Sequence, residues 1–164
     1  MEQLYRRHMK AVYLYLYSLC RDHGIAEDLM QETFLRAFCS LDNAGRELLP
    51  WLLTVARNLY VDTWRREKRF DRQDRDERWE KEADGGAGIL DLLIRKEQNQ
   101  RLYQAIQMLK NMEKEVIVLY YFTGISQEEI GRILNLSYAN TRVILYRAKK
   151  NLKRLLDGEE MMDI

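Results

Sequence analysis

Proline occurs once in 164 residues, at Pro50, and glycine only eight times. Loop-rich parallel α/β folds draw on both residues. Long segments here contain neither, and Gly85, Gly86 and Gly88 lie within four residues of one another. That scarcity excludes a sheet fold with many turns and describes a helical chain interrupted once. Cysteine is equally sparse. Cys20 and Cys39 cannot build a disulfide framework, and they are expected to be reduced thiols of a cytoplasmic protein, both small core residues. No apolar stretch approaches the roughly 20 residues that a spanning helix requires. Met1-Glu2-Gln3-Leu4 lacks the basic segment and apolar run of a secretory signal. Net charge is also nearly absent, at 27 Lys+Arg against 26 Asp+Glu.

What is present is a hydrophobic fraction of 46%, enough for a core, and a charged fraction of 32% that is unevenly placed. Residues 1–70 hold 11 basic and 9 acidic side chains, residues 71–95 hold 5 and 8, and residues 96–164 hold 11 and 9. The near-neutral total therefore hides two mildly basic segments and an acidic connector. Between Asp71 and Gly88 only Trp79 and two alanines are apolar, too little to order the chain by burial. The expected architecture is all-α: two small helical domains, residues 1–70 and 89–164, joined by a flexible acidic linker, residues 71–88. The second contains a helix-turn-helix.

Apolar spacing predicts helices over residues 2–20, 26–38 and 50–69 in the first segment. Glu27 and Asp28 then fall in the first turn of the second helix, where the dipole favours acids. Pro50 takes the first position of the third. Further helices are predicted over residues 89–110, 114–122, 126–134 and 138–156. Ser126 and Glu129 fit a capping box, Ile125 and Ile130 a hydrophobic staple, and Ser137 caps the last helix.

The most informative stretch is residues 125–156. A short capped helix, a three-residue turn and a longer basic helix have the layout of a helix-turn-helix. On the last helix Thr141, Leu145, Ala148, Leu152 and Leu155 step by four and three toward a core. Arg142, Val143, Tyr146, Arg147 and Lys150 lie opposite. From Arg142 to Arg154 there are six basic residues and no acid. A solvated surface helix normally mixes signs, so this bias points to phosphate contact, with Lys149, Lys150 and Lys153 as phosphate ligands. In the third helix Arg57, Arg65, Arg66, Lys68 and Arg69 alternate with Trp51, Tyr60 and Trp64. Cations beside aromatics suit single-stranded nucleic acid, although spacing alone favours a core role for Trp51 and Trp64 over base contact. Residues 26–38 form an amphipathic helix whose acids, Glu27, Asp28 and Glu32, suit a solvated or partner-facing patch better than a metal. Enzyme chemistry finds no support, and no metal or cofactor is expected: His8 and His23 are isolated, no glycine-rich phosphate loop exists, and neither cysteine has a histidine placed to suggest a nucleophile pair.

Taken together, three blocks resemble one family. Glu27-Asp28-Leu29-Met30-Gln31-Glu32-Thr33-Phe34-Leu35-Arg36-Ala37 is the first. Pro50-Trp51-Leu52-Leu53-Thr54-Val55-Ala56-Arg57-Asn58-Leu59-Tyr60-Val61-Asp62-Thr63-Trp64-Arg65-Arg66 is the second. Tyr120 through Ile130, with Thr141-Arg142 through Lys150, is the third. In this order they resemble bacterial RNA polymerase sigma factors of the extracytoplasmic-function type. The resemblance implies a promoter-specificity subunit with three partners: core RNA polymerase (the β′ clamp helices and the β flap), promoter DNA and an anti-sigma factor. It implies that Asp28, Gln31, Glu32, Phe34 and Arg36 dock on polymerase. It implies that the loop over residues 39–49, with Asn43, captures a flipped base of the −10 element. Asn58, Arg57, Trp64, Arg65 and Arg66 follow on the adjoining helix. Arg142, Val143, Tyr146, Arg147, Lys149 and Lys150 are implied to read the −35 element. Two other readings of the same residues remain open: a helix-turn-helix repressor or activator with a sensor domain, and an all-helical adaptor without a nucleic-acid role.

Overall fold

The computed structural model describes residues 2–40, 47–70 and 97–158, all helix or the short turns between helices, with no strand among them. Packing divides the chain into two units, Met1–Gly86 and Ala87–Ile164. The proposed linker over residues 71–88 and the loop residue Asn43 lie outside the described residues.

The first unit contains α1 (Glu2–Cys20), α2 (His23–Cys39) and α3 (Leu48–Phe70), each packed against the other two. Because α1 has a neighbour on both sides, its last turns bury Val12, Tyr13, Tyr15, Leu16, Tyr17, Ser18 and Cys20 rather than a single stripe. The chain reverses between α1 and α2 within two residues. Arg21 takes a left-handed conformation, φ 55°, and its N–H donates to the Tyr17 carbonyl at 2.8 Å, closing α1. Asp22 then caps α2, its Oδ1 accepting from the Ile25 N–H at 3.0 Å.

This corner corrects the expected start of α2. The helix begins at His23, so Glu27 and Asp28 sit in its second turn and gain little from the dipole, which fades within one turn. It also ties down His23. Its Nδ1 shares a hydrogen bond with the buried Tyr13 hydroxyl, and its Nε2 lies 3.5 Å from Glu27 Oε2. On α3, Leu52, Leu53, Ala56 and Leu59 face the core, and the Tyr60 hydroxyl donates to the Leu19 carbonyl at 3.3 Å. Pro50 is the third helical residue, not the first, still within the turn whose N–H groups have no helical acceptor.

The second unit contains α4 (Glu97–Gln107), α5 (Asn111–Val118, continued by a π turn over Leu119–Thr123), α6 (Gln127–Leu134) and α7 (Tyr138–Leu156). Helix α5 starts three residues before its expected position, and α4 ends before Lys110, which becomes the N-cap of α5. Gly124, φ 72°, ends the π turn. The capping box at Ser126 is present in both directions, and Ile125 and Ile130 are both buried, as a staple requires. Helix α7 packs against α4, α5 and α6 through Thr141, Leu145, Ala148 and Leu152, with Leu155 half-buried.

Gly131 decides how closely α6 and α7 approach. The Leu136 N–H donates to its carbonyl at 2.8 Å. A Cβ at position 131 would stand 2.8 Å from the Leu136 carbonyl oxygen and 3.0 Å from Thr141 Oγ1. The first contact is backbone and cannot rotate away. Gly131→Ala gains about 1 kcal/mol of helix propensity, but overpacking costs about 1–3 kcal/mol. The net is expected to be destabilising, and Gly131→Val more so. Thermal melts followed by circular dichroism check this; an unchanged or raised midpoint for Gly131→Ala would show that the turn relaxes freely.

The cysteines differ, against the expectation that both are core. Cys20 is buried, and burial pushes its thiol up to about 12. Cys39, the last residue of α2, is exposed. A shift from 9.0 to about 12 lowers the thiolate fraction of Cys20 roughly a thousandfold at neutral pH. One thiol per native chain should therefore react with a maleimide at pH 7.5, and two in guanidinium chloride. Equal reaction of both thiols in the native protein would mean that α1 opens readily.

Candidate nucleic-acid interface

Burial of the α7 stripe fixes which side chains point outward. Arg142, Val143, Tyr146, Arg147, Lys150 and Lys153 are all exposed, Val143 by 47% and Tyr146 by 68%. Their backbone is held at the helix start by Ser137. Its hydroxyl accepts from the Asn140 N–H at 3.1 Å, while its carbonyl accepts from Thr141 Oγ1 at 2.9 Å. Toward the end of the helix, Asn151 donates to both oxygens of Glu113 at 3.2 and 3.1 Å, occupying an acid of α5 that faces α7. The outcome is a positive face with no competing carboxylate on its own helix.

Lys149 departs from its companions. Its ammonium lies 4.7 Å from the Tyr120 ring centre and 5.7 Å from that of Tyr121, and the two rings meet edge to face at 4.9 Å. On a 100° helical wheel Lys149 stands about 160° from Arg147. It therefore turns toward the π turn, away from the Arg147 side of α7. The run Tyr120-Tyr121-Phe122 carried the signal for this contact. Tyr138 is a second residue that periodicity did not single out. It opens α7, is 50% exposed, and its ring lies 5.7 Å from the Arg142 guanidinium carbon.

Helix α3 sorts its candidates onto two sides. Asn58 and Arg65 are exposed on the face opposite the buried stripe, and Arg69 follows on the same side. Arg57 and Trp64 are half-buried on one flank, where the Lys68 ammonium lies 4.5 Å from the Trp64 ring centre. Arg66 is exposed but nine residues from Arg57, about 180° around the helix, so those two lie on opposite sides of α3. Tyr60 is committed to the Leu19 carbonyl.

On α2 the residues Asp28, Gln31, Glu32 and Arg36 are exposed, and Glu32 accepts from Arg36 Nε at 3.1 Å. Phe34 is not among them. It is 2% exposed and packs edge-on against Tyr5 at 4.9 Å, with Phe38 at 6.2 Å. Its ring holds α2 on α1, which corrects its assignment as a contact residue. The apolar group on the outer face is instead Leu35, 59% exposed. It stands seven residues from Asp28 and four from Gln31, two helical intervals visible in the sequence. Among the described residues no cluster of His, Cys, Asp and Glu is placed to hold a metal ion, and no helix is long and apolar enough to cross a membrane.

Two family profiles match the chain: sigma-70 region 2 over residues 4–70 and sigma-70 region 4 over residues 99–152. The RNA polymerase sigma factor CarQ of Myxococcus xanthus is 31% identical, the alignment covering 98% of this chain and 91% of CarQ. The extracytoplasmic-function RNA polymerase sigma factor SigM of Bacillus subtilis is 29% identical over 94% and 93%. Among solved structures, the sigma factor RpoE of Bartonella quintana in complex with the anti-sigma factor NepR matches with a TM-score of 0.72 and 26% identity, covering 97% of this chain and 98% of RpoE. CnrH in complex with the cytosolic domain of CnrY matches at 0.64 and 27%, covering 97% and 88%. A helix-turn-helix with a basic outer face, an amphipathic acidic helix and a cationic third helix thus occur where both sigma-70 regions match, and the chain belongs to the sigma-70 family as an extracytoplasmic-function sigma factor.

Proposed function

We propose that this sigma factor reads the −35 element with α7 and the opened −10 element with α3, while α2 docks on core polymerase. The observation that carries this reading is the exposed, one-signed face of α7 on a fully capped helix-turn-helix. Residues 1–70 act as the polymerase and −10 domain, residues 89–164 as the −35 domain, with residues 71–88 between them. Asp28, Gln31, Glu32 and Arg36 with Leu35 form the docking face. Asn58 and Arg65, flanked by Arg57 and Trp64 on one side and Arg66 on the other, contact the −10 strand, and Asn43 belongs to the loop that precedes them. Arg142, Val143, Tyr146 and Arg147 read the −35 bases, and Lys150 contacts phosphate. Lys149 reaches the backbone only from its seat on Tyr120. The protein acts by binding and catalyses nothing itself, in the cytoplasm. An anti-sigma factor controls it, a reading supported by the complexes in which RpoE and CnrH are found. Mobility shifts of promoter DNA with and without core polymerase test the whole reading. A repressor would bind without the core enzyme and gain nothing from it.

Exchanging Asp28 and Glu32 for Lys replaces a complementary contact with a repulsive one. Affinity for core polymerase is expected to fall at least about tenfold, or 1.4 kcal/mol. The exposed Glu32–Arg36 pair contributes only about 0.3–0.5 kcal/mol, so the melting curve should hardly move. Co-purification with core polymerase at the wild-type level would remove α2 from the interface.

Arg147→Ala is expected to relax preference at one −35 position by about 1–3 kcal/mol. Lys150→Ala should weaken every promoter alike and reduce the salt slope by about one. Competition between promoter variants at two salt concentrations separates the two; loss of sequence preference on removing Lys150 would reverse the assignment.

A further inference from the structure

We propose that Tyr138 is a positioning residue for Arg142: its ring is a platform that holds the guanidinium ready to read a base edge. This rests on the reading of α7 as the −35 helix and adds a residue to it. Three observations lead there. Tyr138 is the first residue of α7, beside the cap Ser137, at the end of a recognition helix that enters the groove first. Its ring is 50% exposed, so it is not spent on the core. The Arg142 guanidinium carbon lies 5.7 Å from the ring centre, within the range of an attractive cation–π contact, and the two residues are one turn apart.

The geometry of the guanidinium gives the contact its use. The group is planar and carries its N–H donors in that plane. A cation–π contact can use a face of the plane, whereas paired hydrogen bonds to guanine O6 and N7 engage an edge. Both can therefore be made at once. An unsupported arginine must give up considerable side-chain freedom when it docks on a base. An arginine already lying on Tyr138 has lost part of that freedom before DNA arrives, so more of the hydrogen-bond energy appears as discrimination. The hydroxyl of Tyr138 is not needed for this, and neither is any contact between its ring and DNA.

The experiment uses holoenzyme assembled from core polymerase and the full chain, and a pool of promoter fragments randomised across the upstream element, sequenced before and after capture. Arg142→Ala should abolish preference at one position. Tyr138→Ala should weaken preference at that same position by about two- to fivefold, the range of an exposed cation–π contact, and leave the others alone. Tyr138→Phe should behave as wild type. Adding Tyr138→Ala to Arg142→Ala should do nothing further at that position. If Arg142→Ala leaves every preference intact, the base-reading role of Arg142 falls and the platform with it. If Arg142→Ala acts but Tyr138→Ala does not, only the platform falls. A Tyr138→Phe protein as defective as Tyr138→Ala overturns it in favour of a hydroxyl contact. A Tyr138→Ala effect at a different position, or one that persists without Arg142, overturns it in favour of a direct ring contact. Circular-dichroism melts of each variant exclude a folding defect, which exposed Tyr138 and Arg142 are not expected to cause.

Discussion

The approach of α6 to α7 at Gly131 sets the terms for the second unit. A hydrogen bond of 2.8 Å from Leu136 to the Gly131 carbonyl pulls the turn tight, and there is no room for even a methyl group beneath it. With the turn fixed, Thr141 must enter the core at 0% exposure, and Leu145, Ala148 and Leu152 follow at helical intervals. A helix held by one stripe has its rotation decided. Arg142, Tyr146 and Arg147 are outward because Thr141 and Leu145 are inward. The outward basic face is therefore a consequence of core packing at Thr141 and Leu145, and a fault at Gly131 would reach it without touching a single outward side chain.

The same logic explains why so much of the molecule was readable from its sequence. Where a local rule and the packing agree, the signal is plain: the Ser126–Glu129 box, the Ser137 cap and the α7 stripe all combine short-range chemistry with helical period. Sequence periodicity failed where no residue advertises the conformation. Arg21 is left-handed without being glycine, so the corner that starts α2 at His23 carries no punctuation. Phe34 and Leu35 are adjacent apolar residues in an amphipathic helix. Which one is core depends on where α1 lies, and Tyr5 settles it by receiving the Phe34 ring. Cys39 was assigned to a core by the usual habit of cysteine, but it stands eleven residues from Asp28 on the outer face of α2.

Charge follows packing too. The total of +1 says nothing about partners. The exposed side of α2 carries Asp28 and Glu32, while that of α7 carries Arg142, Arg147 and Lys150. Each small core takes the apolar stripe of its helices and leaves their other faces outward, so the faces differ in sign although the chain is balanced. A protein with this pattern can meet a basic protein surface and a phosphate backbone at once. Both contacts weaken as salt rises, because opposite charges at each interface are screened in the same way.

Aromatic rings give those cations a fixed address. Lys68 lies over Trp64, Arg142 over Tyr138, and Lys149 over Tyr120 and Tyr121. A flexible cation in water samples many rotamers, and a surface ion pair restrains it only weakly. A ring restrains it without neutralising it, since the quadrupole attracts the cation but carries no net charge. A carboxylate in the same place would hold the lysine or arginine as well, yet would cancel its charge. On surfaces that must stay positive, an exposed tyrosine or tryptophan is the residue able to orient a cation and leave its field intact. That accounts for large aromatic side chains on α3, α7 and the π turn that the cores do not bury, and for the Lys149 ammonium lying over Tyr120 and Tyr121.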